Sequence, residues 1–232
     1  MMKLGGLQKL TLVDYPGKVA ATVFTLGCNF RCQFCHNSGL FIWTKEDTQT
    51  ITEKELFNFL EARQGLLDGV CITGGEPTLQ PDLSRFIGKI REKGFAIKLD
   101  TNGSNPEVLE SLIKEGLVDY VAMDIKAAPE KYGEVTNTQI NIEKIKRSVD
   151  LVKKLPDYEF RTTVANRLQS KEDLLRIIQW LSGSKKYFFQ QYRPPGQPIN
   201  PYARPLAQFP EEDLAEVLAL AQNHFELCQA RP

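Results

Sequence analysis

The sequence lacks an excess of charge of either sign, because 29 lysine and arginine residues balance 29 aspartate and glutamate residues. The chain therefore has no net charge of the kind that indicates binding to nucleic acid or to a charged membrane surface. No stretch approaches the roughly 18 consecutive apolar residues of a membrane span, and the amino-terminal MMKLGGLQKL has no apolar core of signal-peptide length. These absences predict a cytoplasmic protein with neither nucleic acid nor membrane as a partner.

Repeats, low-complexity tracts and composition breaks that would mark a linker are also missing from the 232 residues. The sequence therefore predicts a single domain over 1–232. Within it, residues 1–18 are a lead-in, residues 19–191 form six βα units, and residues 192–232 form a loop and a carboxy-terminal helix. The proline-dense stretch at 191–205 is either an ordinary surface connection or a loop over the mouth of the sheet.

The βα units are predicted from short β-branched apolar stretches that alternate with longer segments of helical period, a pattern typical of a parallel α/β sheet. Strands are predicted at 19–25, 69–73, 96–100, 120–125, 158–164 and 187–191. Helices are predicted at 52–63, 83–93, 106–115, 141–154, 170–181 and 210–227. Start signals support several helices: Thr52 with Glu55 predicts a capping box, Asn105 an N-cap before a proline, and Ser170 precedes an acidic first turn.

Cysteine is scarce, with five residues in the chain, and three of them lie close together in GCNFRCQFCHN, at 27–37. Clustered cysteines in a chain without an export signal indicate metal ligands or redox groups rather than disulfides. Iron–sulfur clusters are held by cysteine thiolates, and a cubane normally takes four. Thiolates from Cys28, Cys32 and Cys35 would therefore leave one iron open to a ligand from outside the protein.

Zinc is the competing occupant, with His36 as a fourth ligand beside the three cysteines. Because His36 adjoins Cys35, the two side chains are poorly placed to converge on one tetrahedral ion, and His36 could equally orient the loop by hydrogen bonding. Of the remaining cysteines, Cys71 lies in the apolar strand VCIT and is predicted to pack as a small hydrophobe. Cys228 is predicted to be an inert thiol on the last helix.

Polar or ligand-rich segments follow four successive predicted strands. The first is the cysteine segment, and the others are TGGEP at 73–77, DTNG at 100–103 and DIK at 124–126. In parallel α/β folds, ligands gather where strands end and βα loops begin, so four such segments on one rim predict a binding site. Alternation along a strand places Asp124 and Lys126 on the same side, either as an ion pair or as ligand contacts.

Together these motifs resemble those of radical S-adenosylmethionine enzymes. CNFRCQFC, with Phe34 before the third cysteine, matches the C-x3-C-x-aromatic-C signature of that superfamily, and GGEP is similar to its second signature. VDYPG at 13–17, CHN at 35–37, DTNG and DIK resemble the pattern of glycyl-radical-enzyme activases. The opening GLQKLTLVDYPGKVAATVF is most similar to the activating proteins of anaerobic ribonucleoside-triphosphate reductases. The resemblance continues more loosely through RTTV at 161–164 and QQYRPPG at 190–196.

The resemblance implies an open, partial (β/α)6 TIM-like barrel, the radical SAM core. The alternation of strands and helices by itself would also allow a doubly wound sheet. It implies a 4Fe–4S cluster on Cys28, Cys32 and Cys35, whose open iron is chelated by the amine and carboxylate of S-adenosyl-L-methionine. An electron from the cluster would cleave the sulfonium to methionine and a 5′-deoxyadenosyl radical. That radical would abstract a hydrogen atom from a glycine of a partner glycyl radical enzyme.

The resemblance also implies a set of residues that bind S-adenosyl-L-methionine: Phe34, His36, Gly74, Gly75, Glu76, Asn102, Asp124, Lys126, Arg161, Gln191 and Arg193. Activases of this kind often have a histidine at the end of the sixth strand, where this sequence has Gln191 and Arg193. A structural interpretation stays open for several members: a tight turn for the two glycines, a loop support for Glu76, and a purely structural role for Arg161.

Two further sites are expected near the cofactor. Asp100, Thr101 and Asp124 are candidates for a monovalent cation, although paired aspartates equally suit caps and turns. Asp14 is expected to contact the glycine loop of the partner, with a turn before proline as the alternative.

The expected activity is formation of a glycyl radical on an anaerobic ribonucleotide reductase. Too few cysteines remain for a second, ferredoxin-like cluster, so an external flavodoxin or ferredoxin is the expected electron donor. Two alternatives stay open. One is a radical SAM enzyme that acts on a small molecule, for example in modified-nucleoside synthesis, and the other is an iron–sulfur sensor or a zinc-binding interaction module.

Overall fold

The structure is a computed structural model, and it describes residues 1–35, 51–193 and 206–231. These residues form two compact units. One contains residues 1–28 and 51–122, and the other contains residues 29–35, 123–193 and 206–231. Within the described ranges, every helix is too short or too polar to span a membrane.

The first unit consists of a sheet and three helices. Its strands are β1 (Leu4–Thr11), β2 (Ala20–Thr25), β3 (Gly69–Gly74), β4 (Ala96–Thr101) and the first three residues of β5 (Tyr120–Asp124). Its helices are α1 (Glu53–Glu61), α2 (Leu83–Arg91) and α3 (Pro106–Lys114). The strands follow one another in chain order, β1 antiparallel to β2 and the pairs β2–β3 and β3–β4 parallel.

The core of the first unit forms because its parallel strands consist mostly of apolar, buried residues. In β2 and β3 the side chains are buried without interruption over 20–23 and 69–72, as expected for strands covered on both faces. Each helix adds a stripe at helical spacing, for example Leu83, Phe86, Ile87 and Ile90 of α2.

The three predicted helix starts lie at the residues that the sequence indicated, and two of them form a capping box. The predicted capping box of α1 is present, with Thr52 accepting from the Glu55 amide and the Glu55 carboxylate accepting from the Thr52 amide. Ser170 also starts its helix with a capping box. Asn105 occupies the N-cap position of α3 but makes no capping hydrogen bond. Its side-chain amide donates instead to the carbonyl oxygen of Thr78 at 2.9 Å, because the 3-10 turn after GGEP passes beside it.

The second unit contains residues 29–35 and the last two residues of β5. Its helices are α4 (Tyr132–Thr136), α5 (Ile142–Val152), α6 (Lys171–Leu181) and α7 (Glu211–Ala221). Its strands are β6 (Tyr158–Asn166), β7 (Ser184–Gln191), β8 (Ala207–Gln208) and β9 (Phe225–Arg231). The order is β6-β7-β9 with parallel pairs, and β8 is antiparallel to β6.

Three strands of the structure, β1, β8 and β9, lie where the sequence predicted none, and β8 lies in the stretch predicted as a loop. β1 lies within the predicted lead-in, and β9 lies where the last helix was predicted to continue to residue 227. Helix α7 ends at Ala221, and after a 3-10 turn the chain pairs with β7, which satisfies the backbone groups of β9 that face β7. The prediction that Cys228 lies on a helix is therefore wrong. Burial raises the pKa of its thiol to about 12.

Candidate active site

The GGEP segment after β3 holds the chain that leads into Cys28. The amides of Gly75 and Glu76 donate to carbonyl oxygens at the end of β2 and in Gly27, both at 2.8 Å. The backbones approach so closely that a Cβ on Gly75 would lie 2.0 Å from the Gly27 oxygen, and Gly74 has a φ of +112°. Both positions require glycine for steric reasons. The glycines therefore allow two loops of the chain to pack together directly before the first cysteine of the motif.

The Glu76 carboxylate connects two loops of the first unit. It is 1% exposed. Its Oε1 accepts from the amide of Thr78 at 3.1 Å, from the hydroxyl of Thr78 at 2.6 Å and from the hydroxyl of Thr101 at 2.7 Å. Its Oε2 accepts from the amide of Asn102 at 2.7 Å. Burial raises the pKa of Glu76 above its ordinary value, although these hydrogen bonds act in the opposite direction. Glu76 thus supports the loops, as the structural interpretation of the sequence predicted.

Asn102 extends this support to the cysteine motif. Its Nδ2 donates to the Sγ of Cys28 at 3.9 Å, and its Oδ1 accepts from the amide of Ser104 at 2.9 Å. The Asn102 side chain is buried and Cys28 is half-buried. A hydrogen bond donated to sulfur favours the thiolate, which is the form that binds metal.

A buried lysine adjoins the DTNG segment. Lys98 is 1% exposed, and its ammonium forms a short ion pair with Oδ1 of Asp100 and lies 3.8 Å from the Sγ of Cys71. Cys71 is buried as predicted, but it packs against an ion pair as well as against apolar strands. Thr101 donates its hydroxyl to Glu76. Asp100 and Thr101 therefore already have protein partners, as does the third candidate, Asp124, and the monovalent cation stays a prediction.

Asp14 lies in the turn between β1 and β2. Its Oδ2 accepts from the hydroxyl of Thr22 at 2.6 Å, and its amide donates to the hydroxyl oxygen of Thr11 at 3.2 Å. The preceding residues Leu12 and Val13 are 70% and 83% exposed. Asp14 is thus anchored on the sheet beside an exposed apolar tip, and its contact with a partner stays a prediction.

In the second unit, Cys32 and Cys35 are the ends of a turn in which the amide of Cys35 donates to the carbonyl oxygen of Cys32 at 3.2 Å. Cys32 is buried and Cys35 is half-buried. Phe34 lies between these two cysteines in the sequence, and its ring is buried. The Nζ of Lys126 lies 5.5 Å from the centroid of this ring. The cysteine turn therefore has a cation beside it.

The DIK segment and RTTV bring three predicted site residues together. Asp124 binds a cation with each oxygen: Lys126 Nζ lies 3.0 Å from Oδ2, and Arg161 Nε lies 2.9 Å from Oδ1. Burial favours the neutral acid, but the two cations hold the pKa of Asp124 well below its usual range. Burial also opposes the charge of Lys126, yet Asp124 and then Cys32 raise its pKa above the ordinary value. Asp124 and Lys126 therefore stay ionised. The pair is partly accessible to solvent, because the Asp124 side chain is 27% exposed.

Gln191 and Arg193, predicted to contact the cofactor at the end of the sixth predicted strand (β7 of the structure), have different surroundings. Gln191 uses both ends of its side-chain amide on the backbone of Phe209, donating from Nε2 at 2.8 Å and accepting at Oε1 at 3.2 Å. This pairing fixes the segment around β8, so a cofactor contact would have to replace it. Arg193 is exposed. His36 and the proline-dense stretch from 194 to 205 lie outside the described residues.

Three buried or paired charges were not recognised from the sequence: Lys98, Glu159 and Arg231. Glu159 is 1% exposed and binds Arg231 through both carboxylate oxygens. The available signal was a charge inside an apolar strand pattern, as in AIKLD and YEFRT, because buried charges are normally paired. The partnership of Glu159 with Arg231 could not be named, since it depends on strand pairing, whereas Lys98 and Asp100 are two residues apart on β4.

The donor chemistry of the cysteine motif fits an iron–sulfur cluster. Within the described residues the three motif cysteines form no disulfide, Cys28 has an N–H donor at its sulfur, and Cys32 lies near the Lys126 cation. Within the described ranges, no three His, Cys, Asp or Glu side chains are grouped around a single point as ligands of one metal ion. The thiolates of a cluster bind separate irons, so the fit depends on ligand type and on the spacing in the sequence.

The model of the radical SAM superfamily matches residues 22–181, more than half of the chain. Over 232 positions the chain is 35% identical to a Methanocaldococcus jannaschii protein provisionally named a glycyl-radical enzyme activating enzyme, with 96% of this chain and 93% of the relative covered. It is 28% identical over 242 positions to the pyruvate formate-lyase-activating enzyme of Listeria monocytogenes, covering 97% and 96%. It is also 28% identical over 201 positions to a Thermococcus kodakarensis protein provisionally named a GTP 3′,8-cyclase, covering 79% and 64%.

Solved structures show the same fold. QueE from Escherichia coli has a TM-score of 0.57 at 15% identity, covering 99% of this chain and 94% of QueE. SuiB from Streptococcus suis, bound to S-adenosylmethionine, has a TM-score of 0.63 at 14% identity, covering 88% and 48%. These similarities confirm the predicted fold class, the α/β fold of the radical SAM core. The resemblance stated from the motifs is confirmed for the superfamily and for its relationship to activating enzymes.

Proposed function

This chain belongs to the radical SAM superfamily of enzymes, and we propose that it activates a glycyl radical enzyme. The observation that carries the proposal is the similarity to two named activating enzymes along almost the entire length of both chains. The DTNG and DIK segments support it, because they supply the Asn102 contact to Cys28 and the paired Asp124 and Lys126.

We further propose that the partner is an anaerobic ribonucleoside-triphosphate reductase. The support is the opening stretch through VDYPG, which resembles the activating proteins of those reductases. In the structure this stretch is β1, its turn and β2, and the turn presents Asp14 next to the exposed Leu12 and Val13. Pyruvate formate-lyase, the target named for the Listeria relative, is the alternative partner of the same class.

Enzymes of this superfamily use a 4Fe–4S cluster and S-adenosyl-L-methionine. We place the cluster on Cys28, Cys32 and Cys35. When bound, the two cofactors supply one-electron cleavage of the sulfonium, which yields a 5′-deoxyadenosyl radical.

The residues of the chain bind and orient these groups. Lys126 and Arg161 provide positive charge for a carboxylate, and Asp124 provides an ionised acceptor for ribose hydroxyls. The buried Phe34 offers an apolar surface beside Lys126. Glu76 and the two glycines keep the backbone before Cys28 in place, which fixes the first thiolate relative to its loop.

The reducing electron is proposed to come from a flavodoxin or ferredoxin. Beyond the three motif cysteines the chain has two others, Cys71 inside the first unit and Cys228 on β9. Two separated thiols do not make a second cluster of the ferredoxin type, which needs four.

Anaerobic reconstitution with iron and sulfide tests the cofactor proposal. We expect about four irons per chain and reductive formation of 5′-deoxyadenosine from S-adenosyl-L-methionine. Cys28→Ser, Cys32→Ser and Cys35→Ser should each abolish this cleavage, whereas Cys71→Ser and Cys228→Ser serve as matched controls that retain it. Bound zinc without 5′-deoxyadenosine would contradict the proposal.

A second candidate function is radical chemistry on a small molecule. The observation that favours it is the similarity to a protein named for GTP cyclisation, over 79% of this chain. Incubation of the reduced enzyme with nucleoside triphosphates, followed by product analysis, distinguishes the two functions. Substrate-dependent consumption of a nucleotide in the absence of any partner protein would favour this candidate over the activase.

A further inference from the structure

A second buried carboxylate lies two residues before Arg161 on β6. Because side chains alternate along a strand, Glu159 and Arg161 are on the same face of the sheet. The Nη1 of Arg161 lies 3.8 Å from Oε1 of Glu159, while its Nε donates a hydrogen bond to Asp124 at 2.9 Å. Arg161 therefore stands between two carboxylates and is bonded closely to one of them.

Arg231, near the carboxy-terminal end of β9, binds both oxygens of Glu159. Its Nη1 lies 3.2 Å from Oε1 and its Nη2 lies 3.0 Å from Oε2, the bidentate geometry in which guanidinium binds carboxylate most strongly. The Arg231 guanidinium also lies 3.3 Å from the ring centroid of Phe188. Phe188 pairs with Arg161 in the register of β6 and β7, so the ring belongs to the same face. Stacking on this ring holds the guanidinium plane of Arg231 in position.

We propose that Arg231 is a positioning residue for S-adenosyl-L-methionine, which acts by keeping Glu159 occupied so that Arg161 stays on Asp124. This inference rests on the proposed function, since it assumes that Arg161 and Lys126 meet the carboxylate or ribose of that cofactor. Without Arg231, the 1% exposed Glu159 would lose its bidentate cation, which is costly for a buried charge. The Arg161 guanidinium, already 3.8 Å away, would then be drawn towards Glu159.

The charges of the network agree with this role. Lys126, Arg161 and Arg231 carry three positive charges, and Asp124 and Glu159 carry two negative ones, all joined by contacts within the second unit. Loss of Arg231 removes one positive charge from this network as well as the occupant of Glu159.

A double-mutant cycle tests the inference on the anaerobically reconstituted enzyme, with Arg231→Met, Glu159→Gln and the double variant. Equilibrium binding of radiolabelled S-adenosyl-L-methionine is measured without reductant, so that no turnover occurs. Arg231→Met should weaken binding by about 10-fold to 100-fold, the usual effect of losing a residue that orients a ligand-binding side chain. The double variant should recover binding to within about 3-fold of wild type, because the neutral amide no longer attracts Arg161.

Two further variants separate positioning from folding. Arg176→Met removes a guanidinium from the exposed pair with Glu130 in the same unit and should leave binding unchanged. Arg231→Lys keeps the positive charge but loses the bidentate guanidinium, and it should give an intermediate affinity for S-adenosyl-L-methionine. In turnover, Arg231→Met should raise KM for S-adenosyl-L-methionine while kcat at saturation changes little.

The outcomes are distinct. Wild-type enzyme that holds its cluster but binds no S-adenosyl-L-methionine would overturn the proposed function and this inference together. Normal binding by wild type and by Arg231→Met alike would overturn the inference alone. A double variant that binds as weakly as Arg231→Met would also overturn it, because the loss would then come from general damage to β9.

Discussion

Replacing Glu76 by alanine should disconnect the GGEP and DTNG loops. The carboxylate accepts four hydrogen bonds, two of them from the backbone amides of Thr78 and Asn102. A buried donor that loses its acceptor costs about 1 to 3 kcal/mol, so the two amides together account for about 2 to 6 kcal/mol. The two hydroxyls can rotate towards other acceptors and add less. This loss is large beside the total stability of about 5 to 15 kcal/mol that is usual for a protein.

Glu76→Gln is the matched variant. Its carbonyl oxygen can replace Oε1 and retain three hydrogen bonds, but its amide nitrogen would face the amide of Asn102, donor against donor. One unsatisfied amide predicts a cost of about 1 to 3 kcal/mol. Part of that cost is offset, because the glutamine has no buried charge, and burial already raises the pKa of Glu76. The alanine variant should therefore be clearly less stable than the glutamine variant.

Urea unfolding of the protein without its cluster, followed by circular dichroism, measures these free energies. Iron content after anaerobic reconstitution reports in addition whether the segment before Cys28 is still held, since the GGEP amides bind its backbone. An alanine variant that unfolds within about 1 kcal/mol of wild type and binds a full complement of iron would refute the reasoning. It would show that the four hydrogen bonds do not support the loops.

Three further predictions concern single residues. Gly75→Ala places a Cβ 2.0 Å from a backbone carbonyl oxygen and should destabilise the protein in urea unfolding, whereas Gly88→Ala, with open space around its Cβ, should be neutral or stabilising by up to about 1 kcal/mol; equal effects would contradict this. Lys98→Met leaves Asp100 without its ammonium and should cost about 3 to 5 kcal/mol in the same assay, and a loss below about 1 kcal/mol would contradict this. Because burial raises the pKa of Cys228 to about 12, its thiol stays protonated and should react slowly with iodoacetamide near pH 8 in the native protein; rapid labelling that mass spectrometry assigns to this residue would argue against its burial.

The strands that the sequence predicted well are those with short, uninterrupted apolar runs. β3 and β4 begin at Gly69 and Ala96 as predicted and extend one residue further than expected. β9 was missed because the helical spacing of DLAEVLAL at 213–220 continues beyond the true end of α7, and the strand conformation of β9 depends on pairing with β7, about 40 residues earlier in the chain. β1 was missed because its two glycines weaken the strand pattern, and its antiparallel partner β2 supplies the stability.

Within the site, local sequence was enough for residues that act inside one motif. Asp124 and Lys126 are two apart on one strand end, and their pairing follows from alternation. The links that join motifs could not be read locally. Glu76 to Asn102, Arg161 to Asp124 and Arg231 to Glu159 all depend on which strands lie side by side. The amide of Gln191 likewise bonds a segment 18 residues away, which no pattern near it indicates.

Electron paramagnetic resonance of a reconstituted mixture tests the central claim most directly. The reduced enzyme, S-adenosyl-L-methionine and the anaerobic ribonucleoside-triphosphate reductase of the same organism are combined without oxygen, with Cys32→Ser enzyme as the control. The account predicts a glycyl radical doublet on the reductase that requires the intact enzyme and is absent with the variant. A cluster-loaded enzyme that forms 5′-deoxyadenosine, yet gives no glycyl signal with this reductase or with pyruvate formate-lyase, would contradict it.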